Sequence, residues 1–579
     1  MGLCFEIVYD SVHYEVAAEQ GESLLSVLQR GDGTILREDG ALKLEGGAPP
    51  WAVPALCAGR GSCKKCRVVV NHNGRRQVQL ACQTTAEAGM VVELAYADPL
   101  VIRDSSSLSL AEVYPPDLVA VCPPDLAAVC PPDLAALCPP DLVAVCPPDL
   151  AAAQDDTLSS QPLGIALDQP LGIAVDVGTT TVVVRLLDKV IGKLHGSIAD
   201  INPQAIYGAD VLSRVDACSR GELGTLTTLI RETIARLVQV LVDEGEVRRS
   251  DIGIITITGN TIMEHIVAGL SPVSIGVAPF TPLSLFGGTH LLDGLNAPVW
   301  LAPAVAGYVG GDITCGLLAL QALKAAEPLI LIDLGTNGEI AFFDGKRIRC
   351  CATAAGPVFE GGGVYFGMSA LPGAIDHVAL ESDGVFSLST IGGKPARGLC
   401  GTGLVSAVAS LLDAGIVDAT GALVDPADVA PAYAQLLGRE RIDATKQAVC
   451  YLTSDHRLFL TQGDIRGLQL AKAAVLAGIK TLLDDWDKTM ADIGLVAIAG
   501  GFGAALDVSS AARIGLIPPA LRDKAQAVGN TAIEGISAAV LSAQAREDLA
   551  AIVAHCDYLE LSTSAKFNQH FMNCICFED

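Results

Sequence analysis

Gly172-Ile-Ala-Val-Asp-Val-Gly-Thr-Thr-Thr181 runs an apolar strand into a turn of glycine and small hydroxyl residues. Pro328-Leu-Ile-Leu-Ile-Asp-Leu-Gly-Thr-Asn-Gly-Glu339 repeats the arrangement later in the chain. Glycine lets such a turn close tightly and aim backbone N–H groups at an anion. An aspartate at the strand end, Asp176 or Asp333, suits Mg²⁺ or its waters. One such turn is a weak signal. Two in similar contexts, with Ala499-Gly-Gly-Phe-Gly503 after a third apolar strand at Leu495–Ala499, form a pattern.

From Leu171 to the end, short buried-type strands alternate with helical runs at Leu223–Glu244, Leu404–Ala414 and Gly467–Leu483. That alternation predicts an α/β domain of two lobes. The signature G-x-x-x-x-G-K-[ST] is absent, which disfavours a P-loop nucleotide site.

In this order, the three turns resemble the superfamily of actin, sugar kinases and heat-shock chaperones, in which two similar lobes clamp ATP. The resemblance implies that Asp176, Gly178, Thr179, Thr180 and Thr181 form the first phosphate turn. Asp333, Gly335, Thr336, Asn337 and Gly338 would form the second, and Gly500, Gly501, Phe502 and Gly503 the adenosine turn. Asp176 and Asp333 are the expected catalytic residues, with ATP and Mg²⁺ as cofactors, and Glu339 is a weaker catalytic candidate. Gly401, Thr402 and Gly403 open a predicted helix and offer a further anion or ribose contact. Gln469 and Lys472 lie on the helix before the Gly-Gly strand and could reach the nucleotide; for Lys472 a solvated surface position fits as well.

Residues 1–100 read as a separate module. Cys4–Tyr9 and His13–Ala17 look like strands, Ser23–Gln29 like a short helix, and Arg67–Val70, Gln77–Leu80 and Met90–Ala95 like further strands. This order fits a small β-grasp fold. Asp32 to Pro50 is rich in glycine and polar residues and reads as an inserted loop. Cys57, Cys63, Cys66 and Cys82 follow the spacing C-x5-C-x2-C-x15-C. Plant-type 2Fe-2S clusters take three thiolates from one tight loop and the fourth from further on. The first gap here is one residue longer than C-x4-C, and the last is short. Tetrahedral zinc is the rival, but it prefers paired C-x2-C hooks and only one exists.

Residues 101–170 are low-complexity. Pro-Pro-Asp-Leu recurs at Pro115, Pro123, Pro131, Pro139 and Pro147, with Cys122, Cys130, Cys138 and Cys146 in phase. Paired prolines break helices and central strands, so this octapeptide array reads as a linker with polyproline-like stretches.

The 579 residues carry a formal charge of −27, from 65 acidic against 38 basic residues. That balance repels nucleic-acid phosphates and anionic lipid surfaces. No apolar run has the length of a membrane span, and the first residues lack the basic and apolar regions of a signal peptide. Eighteen cysteines in such a chain point to metal binding or free thiols, and to the cytoplasm.

A 2Fe-2S ferredoxin module fused to this ATPase fold resembles the reductive activators of corrinoid proteins. Further sequences carry the resemblance: Thr258-Gly-Asn-Thr-Ile-Met263, Gly307-Tyr-Val-Gly-Gly-Asp312, Ala355-Gly-Pro-Val-Phe-Glu-Gly361 and Pro372-Gly-Ala-Ile375. The resemblance implies domains at 1–100 (ferredoxin-like), 101–170 (linker) and 171–579 (ATPase). It implies ATP-dependent, one-electron reduction of cob(II)amide to cob(I)amide through the cluster. The implied partners are a corrinoid protein of a methyltransferase or acetyl-CoA system and an electron donor to the cluster, with a homodimer left open. A small-molecule kinase, an activator of a 2-hydroxyacyl-CoA dehydratase and a nucleotide-locked redox sensor remain as alternatives. Some relatives have a small folded domain between linker and ATPase, where the octapeptide array stands here.

Overall fold

The computed structural model describes residues 169–577, except 209, 443 and 444, together with the strands, the helix and a few flanking residues between 3 and 93. Cys57, Cys63, Cys66, Cys82 and the octapeptide array lie outside the described residues.

At the N-terminal end, Leu3–Tyr9 pairs antiparallel with Val12–Ala18 and parallel with Val91–Glu93. The hairpin Arg67–His72 and Arg75–Leu80 extends the sheet beyond Val91–Glu93. Inward residues alternate with outward ones, as in Val16, Ala17 and Ala18. The helix Leu24–Arg30 adds Leu24, Val27 and Leu28 to the core. Strand, strand, helix and later strands therefore occur as expected. The expected loop from Asp32 to Pro50 differs: Gly33–Leu36 and Leu42–Lys43 are short strands that continue the sheet. The β-branched and apolar run Thr34-Ile-Leu36 can pair along the exposed edge of Val12–Ala18, which outweighs the surrounding glycines.

The rest of the described chain is built around two six-stranded sheets of the same design. In the first, Leu171–Val177, Thr181–Asp188 and Leu194–Ile201 form an antiparallel meander, and Leu171–Val177 also pairs in parallel with Ile252–Gly259. In the second, Leu329–Leu334, Gly338–Phe343 and Ile348–Thr353 form the meander, and Leu329–Leu334 pairs in parallel with Leu495–Ala499. Both lead strands are buried almost throughout, which is why they read as apolar runs. In each lobe the carboxylate-bearing turn lies at the end of this lead strand.

Helices cover the sheets. Leu223–Glu244 turns Leu226, Ile230, Ile234, Leu237, Val238 and Leu241 inward at helical spacing. Gln462–Asp485 begins with a reciprocal capping box between Thr461 and Asp464. Thr531–Leu541 follows the strand Ala525–Gly529 of the second lobe yet packs on the first. Its Ile536 carbonyl accepts from Thr256 Oγ1 at 3.0 Å, and Glu534 forms a buried ion pair with Arg185 at 2.9 Å. Removing one partner of such a pair leaves a buried charge and costs about 3–5 kcal/mol. No helix among the described residues is long and apolar enough to cross a membrane.

Candidate nucleotide site

The first phosphate turn closes when Gly178 N–H donates to the Thr181 carbonyl at 2.9 Å. Asn202 braces it from outside, donating from Nδ2 to the Gly178 carbonyl at 2.9 Å and from its backbone N–H to the Thr180 carbonyl at 2.8 Å. The fully buried Arg214 donates to the Thr179 carbonyl and to Gln204 Oε1. Burial pushes this guanidinium down to about 9, against the charges of Asp210 and Glu360. Asn260, which caps the helix Thr261–Ala268, donates to Thr179 Oγ1 at 3.3 Å. The second turn closes in the same way, Gly335 N–H donating to the Asn337 carbonyl at 3.0 Å. One side chain joins the two turns. Glu360 Oε2 accepts from Thr180 Oγ1 at 2.7 Å and from Thr336 Oγ1 at 3.0 Å.

Asp176 and Asp333 stand at the ends of the two lead strands, and Asp333 feels the charge of Asp176. Burial pushes Asp176 up to about 6, offset in part by the hydrogen bond from Asn530 Nδ2 at 2.7 Å. Asp333 rises to about 8, first through burial and then through the charges of Asp312 and Asp176. Asp312, in the first turn of the helix Gly311–Ala319, rises to about 7, mainly through burial and also through Asp176. Glu339 and Glu264 are also pushed well up by burial and by Asp312, offset in part at Glu264 by the Gly311 backbone N–H. No three metal-type side chains among the described residues converge to hold an ion unaided. Asp176, Asp312 and Asp333 are carboxyl donors of the kind Mg²⁺ takes at nucleotide sites, where one or two of them are completed by phosphates and water.

The turn Gly500–Gly503, expected to face adenosine, is built against the turn that follows Asp333. Gly500 has φ +93°, and a Cβ there would lie 2.6 Å from Asp333 Oδ1 and 2.7 Å from the Leu334 carbonyl, so only glycine fits. Gly501 is exposed, Gly503 N–H donates to the Gly500 carbonyl, and Phe502 packs on Phe359 with centroids 5.0 Å apart. Gly401 and Gly403 open the helix Gly401–Asp413, where their missing side chains let it approach the Phe359 and Ile375 carbonyls. Thr402 is buried beside Cys400 Sγ. Close packing thus accounts for both glycines. Gln469 and Lys472 are fully buried, which corrects the solvated position for Lys472. Gln469 donates to the Thr420 and Ile575 carbonyls, and Lys472 donates to the Cys576 carbonyl at 2.6 Å.

Sequence reasoning singled out the three turns but missed Asn202, Arg214, Glu264 and Asn530. It quoted Asn260, Asp312 and Glu360 without giving them roles. Asn530 had a readable signal, a capping residue just before the apolar run Thr531-Ala-Ile533.

Residues 171–325 match the family model described as RACo middle region, and residues 327–579 match that described as the C-terminal domain of RACo, the ASKHA domain. The chain is 31% identical over 565 residues to the corrinoid activation enzyme RamQ of Eubacterium limosum, spanning 90% of this chain and 94% of that one. It is 25% identical over 440 residues to the [Co(II) methylated amine-specific corrinoid protein] reductase of Methanosarcina barkeri, spanning 69% and 75%. A solved structure titled reductive activator for corrinoid, iron-sulfur protein superposes with a TM-score of 0.64 at 26% identity, covering 99% of this chain and 98% of that one. With its ATPase-type cleft and a relative matched along nearly the whole of both chains, this chain belongs to the family of reductive activators of corrinoid proteins.

Proposed function

We propose that this protein spends ATP to return a corrinoid protein from cob(II)amide to cob(I)amide, the form that accepts methyl groups. The observation that carries the reading is the near end-to-end match to a corrinoid activation enzyme. The two facing phosphate turns with buried carboxylates support it.

In this reading Gly178, Thr179, Thr180 and Thr181 cradle the phosphates from one lobe, and Gly335, Thr336, Asn337 and Gly338 from the other. Asp176 and Asp333 orient Mg²⁺ or its waters, while Gly500 to Gly503 face the adenosine. A ribose or anion contact at Gly401, Thr402 and Gly403 is a lesser part of the reading, because packing already explains the glycines. Mg²⁺, when bound, neutralises the phosphate charge that the acids cannot.

Cys57, Cys63, Cys66 and Cys82 are proposed to hold a 2Fe-2S cluster in a ferredoxin-like β-grasp domain over 1–100. The spacing C-x5-C-x2-C-x15-C, with one C-x2-C hook and a lone later cysteine, supports the ligand set. Bound there, the cluster supplies one electron at about −400 mV. ATP can assist only through contacts that differ between two states of the protein. We infer that closure of the lobes tightens binding to the corrinoid protein and perturbs its cobalt ligation. An electron donor to the cluster, a methyltransferase, O-demethylase or acetyl-CoA system as destination, and a reducing cytoplasm complete the reading.

The test measures ATP hydrolysis and the cob(I)amide absorption band together, with a corrinoid protein isolated from the same host. Hydrolysis should rise with the cob(II)amide protein and stay unchanged with sugars or acetate. Stimulation by a sugar, with a phosphorylated product, would instead identify a kinase.

A further inference from the structure

In the reading given above Asp176 and Asp333 serve Mg²⁺ or its waters, which leaves the mode of water activation in the cleft open. Glu360 stands differently from the other acids. It ends the short turn Pro357–Glu360, whose Phe359 is buried against Phe502 of the adenosine turn. The turn is closed behind it by hydrogen bonds from Gly361 N–H to the Val358 carbonyl at 3.0 Å and from Gly362 N–H to the Pro357 carbonyl at 2.7 Å. The backbone is therefore held while the half-buried carboxylate reaches into the cleft.

Its two oxygens are unequally used. Oε2 accepts the Thr180 and Thr336 hydroxyls, one from each phosphate turn, at 2.7 and 3.0 Å. Oε1 takes no hydrogen bond from a described residue and faces the second turn, 3.9 Å from where a Gly335 Cβ would stand. Two hydroxyl donors on one carboxylate oxygen fix the plane of the group. What is left is a carboxylate oxygen, fixed in direction, at the place where the two turns meet. Asp176, Asp333 and Glu339 stand differently, being pushed up by burial.

We propose that Glu360 is the catalytic base of ATP hydrolysis, with Oε1 orienting the attacking water and Thr180 and Thr336 positioning the carboxylate through Oε2. This rests on the ATP-hydrolysing reading given above. The water oxygen bonds to the γ-phosphorus as the bond from that phosphorus to the β,γ-bridging oxygen breaks. The proton leaving the water passes to Oε1 and then to solvent, and ADP and inorganic phosphate depart. The shared hydroxyls make the arrangement conditional on both turns being in register, so hydrolysis requires the two lobes to be closed on each other.

The experiment uses the full chain with its cluster, ATP and Mg²⁺, with and without the host's cob(II)amide corrinoid protein, alongside Glu360→Gln and Glu360→Asp. Binding is read with an ATP analogue carrying a methylene group between the β- and γ-phosphorus. Glu360→Gln should lower kcat by about 10²- to 10⁴-fold, the usual worth of a positioned base, with analogue affinity and melting temperature near those of the wild type. Glu360→Asp, which keeps the charge on a shorter arm, should recover part of the rate. A Gln variant with wild-type kcat overturns the assignment, and one that only binds the analogue more tightly identifies Glu360 as a phosphate-displaced latch. A wild-type chain that hydrolyses no ATP under either condition overturns the hydrolytic reading itself.

Discussion

Asn530 donates to Asp176 at 2.7 Å, although Asn530 follows the strand Ala525–Gly529 of the second lobe and Asp176 lies at the end of the first lobe's lead strand. The same Asn530 accepts from Ile533 N–H at 3.1 Å and so caps the helix that returns to the first lobe. One amide therefore ties the Asp176 carboxylate to the element that carries the buried Arg185–Glu534 ion pair. Moving this helix away from the first lobe's lead strand loses the hydrogen bond to Asp176, while the cap on Ile533 N–H travels with the helix.

Asn530 can be tested by separating those two roles. Asn530→Asp keeps a capping oxygen but sets a second carboxylate against Asp176. Asn530→Ser keeps a cap and adds no charge. The Asp variant should hydrolyse ATP about tenfold more slowly, or worse, because a like charge at hydrogen-bond distance moves a carboxyl by a unit or more. The Ser variant should lose much less. Equal rates in Asp and wild type would show that Asp176 does not depend on its partner.

The site acids also set a pH dependence of stability. Asp333 rises from its ordinary 3.8 to about 8 in the folded chain, so the folded state binds more protons than the unfolded one between those values. Stability of the nucleotide-free protein therefore falls as pH rises from about 4 to 8 and levels off above. Asp333→Asn removes this penalty. Its melting temperature should exceed that of the wild type at pH 8 and match it near pH 4, by about 2–4 °C for each kcal/mol recovered. Corrinoid-stimulated hydrolysis should be lost in the same variant. A melting difference that does not change with pH would mean Asp333 titrates normally.

Much of this site was legible, and the gaps have physical reasons. The lead strands Leu171–Val177 and Leu329–Leu334 announce themselves because burial on both faces makes them continuous apolar runs. The helix Leu223–Glu244 was read to its ends because its apolar stripe keeps one period up to Gly245. Thr181–Asp188 and Gly338–Phe343 are apolar runs too, but their pairing becomes clear only beside the lead strands. Glu360 and Asn530 act through partners far along the chain, Thr180 and Asp176, and no local pattern marks that convergence. Lys472 misled for the opposite reason: a lysine on a long helix suggests solvent, but here the Cys576 carbonyl and the Phe577 ring take its ammonium.

Iron content tests the N-terminal reading. Purified without oxygen, the chain should hold about two irons, and Cys82→Ser should weaken or shift the visible spectrum while ATP hydrolysis persists. The nucleotide cleft serves as the internal control, because none of its described residues belongs to the first 100. An intact spectrum after changing Cys57, Cys63, Cys66 and Cys82 together would move the cluster elsewhere, with the octapeptide cysteines the first place to look.

The octapeptide array is the remaining expectation, and reach is its physical content. Electron transfer falls steeply with distance, so a cluster that must meet both its reductant and a buried cobalt gains from a tether. Polyproline-like chain rises about 3.1 Å per residue, which gives the array from Pro115 to Leu150 a span on the order of 100 Å when extended. Paired prolines resist collapse and hold part of that span. Deleting two of the five repeats should leave iron content and ATP hydrolysis unchanged and alter only the rate at which cob(I)amide appears. Replacing Cys122, Cys130, Cys138 and Cys146 with serine should be tolerated, since a spacer makes no use of their thiols. If the deletion unfolds the protein or strips its iron, the array is a folded or metal-binding element. If cobalt reduction keeps its full rate with the shortened array, reach is not what limits the transfer.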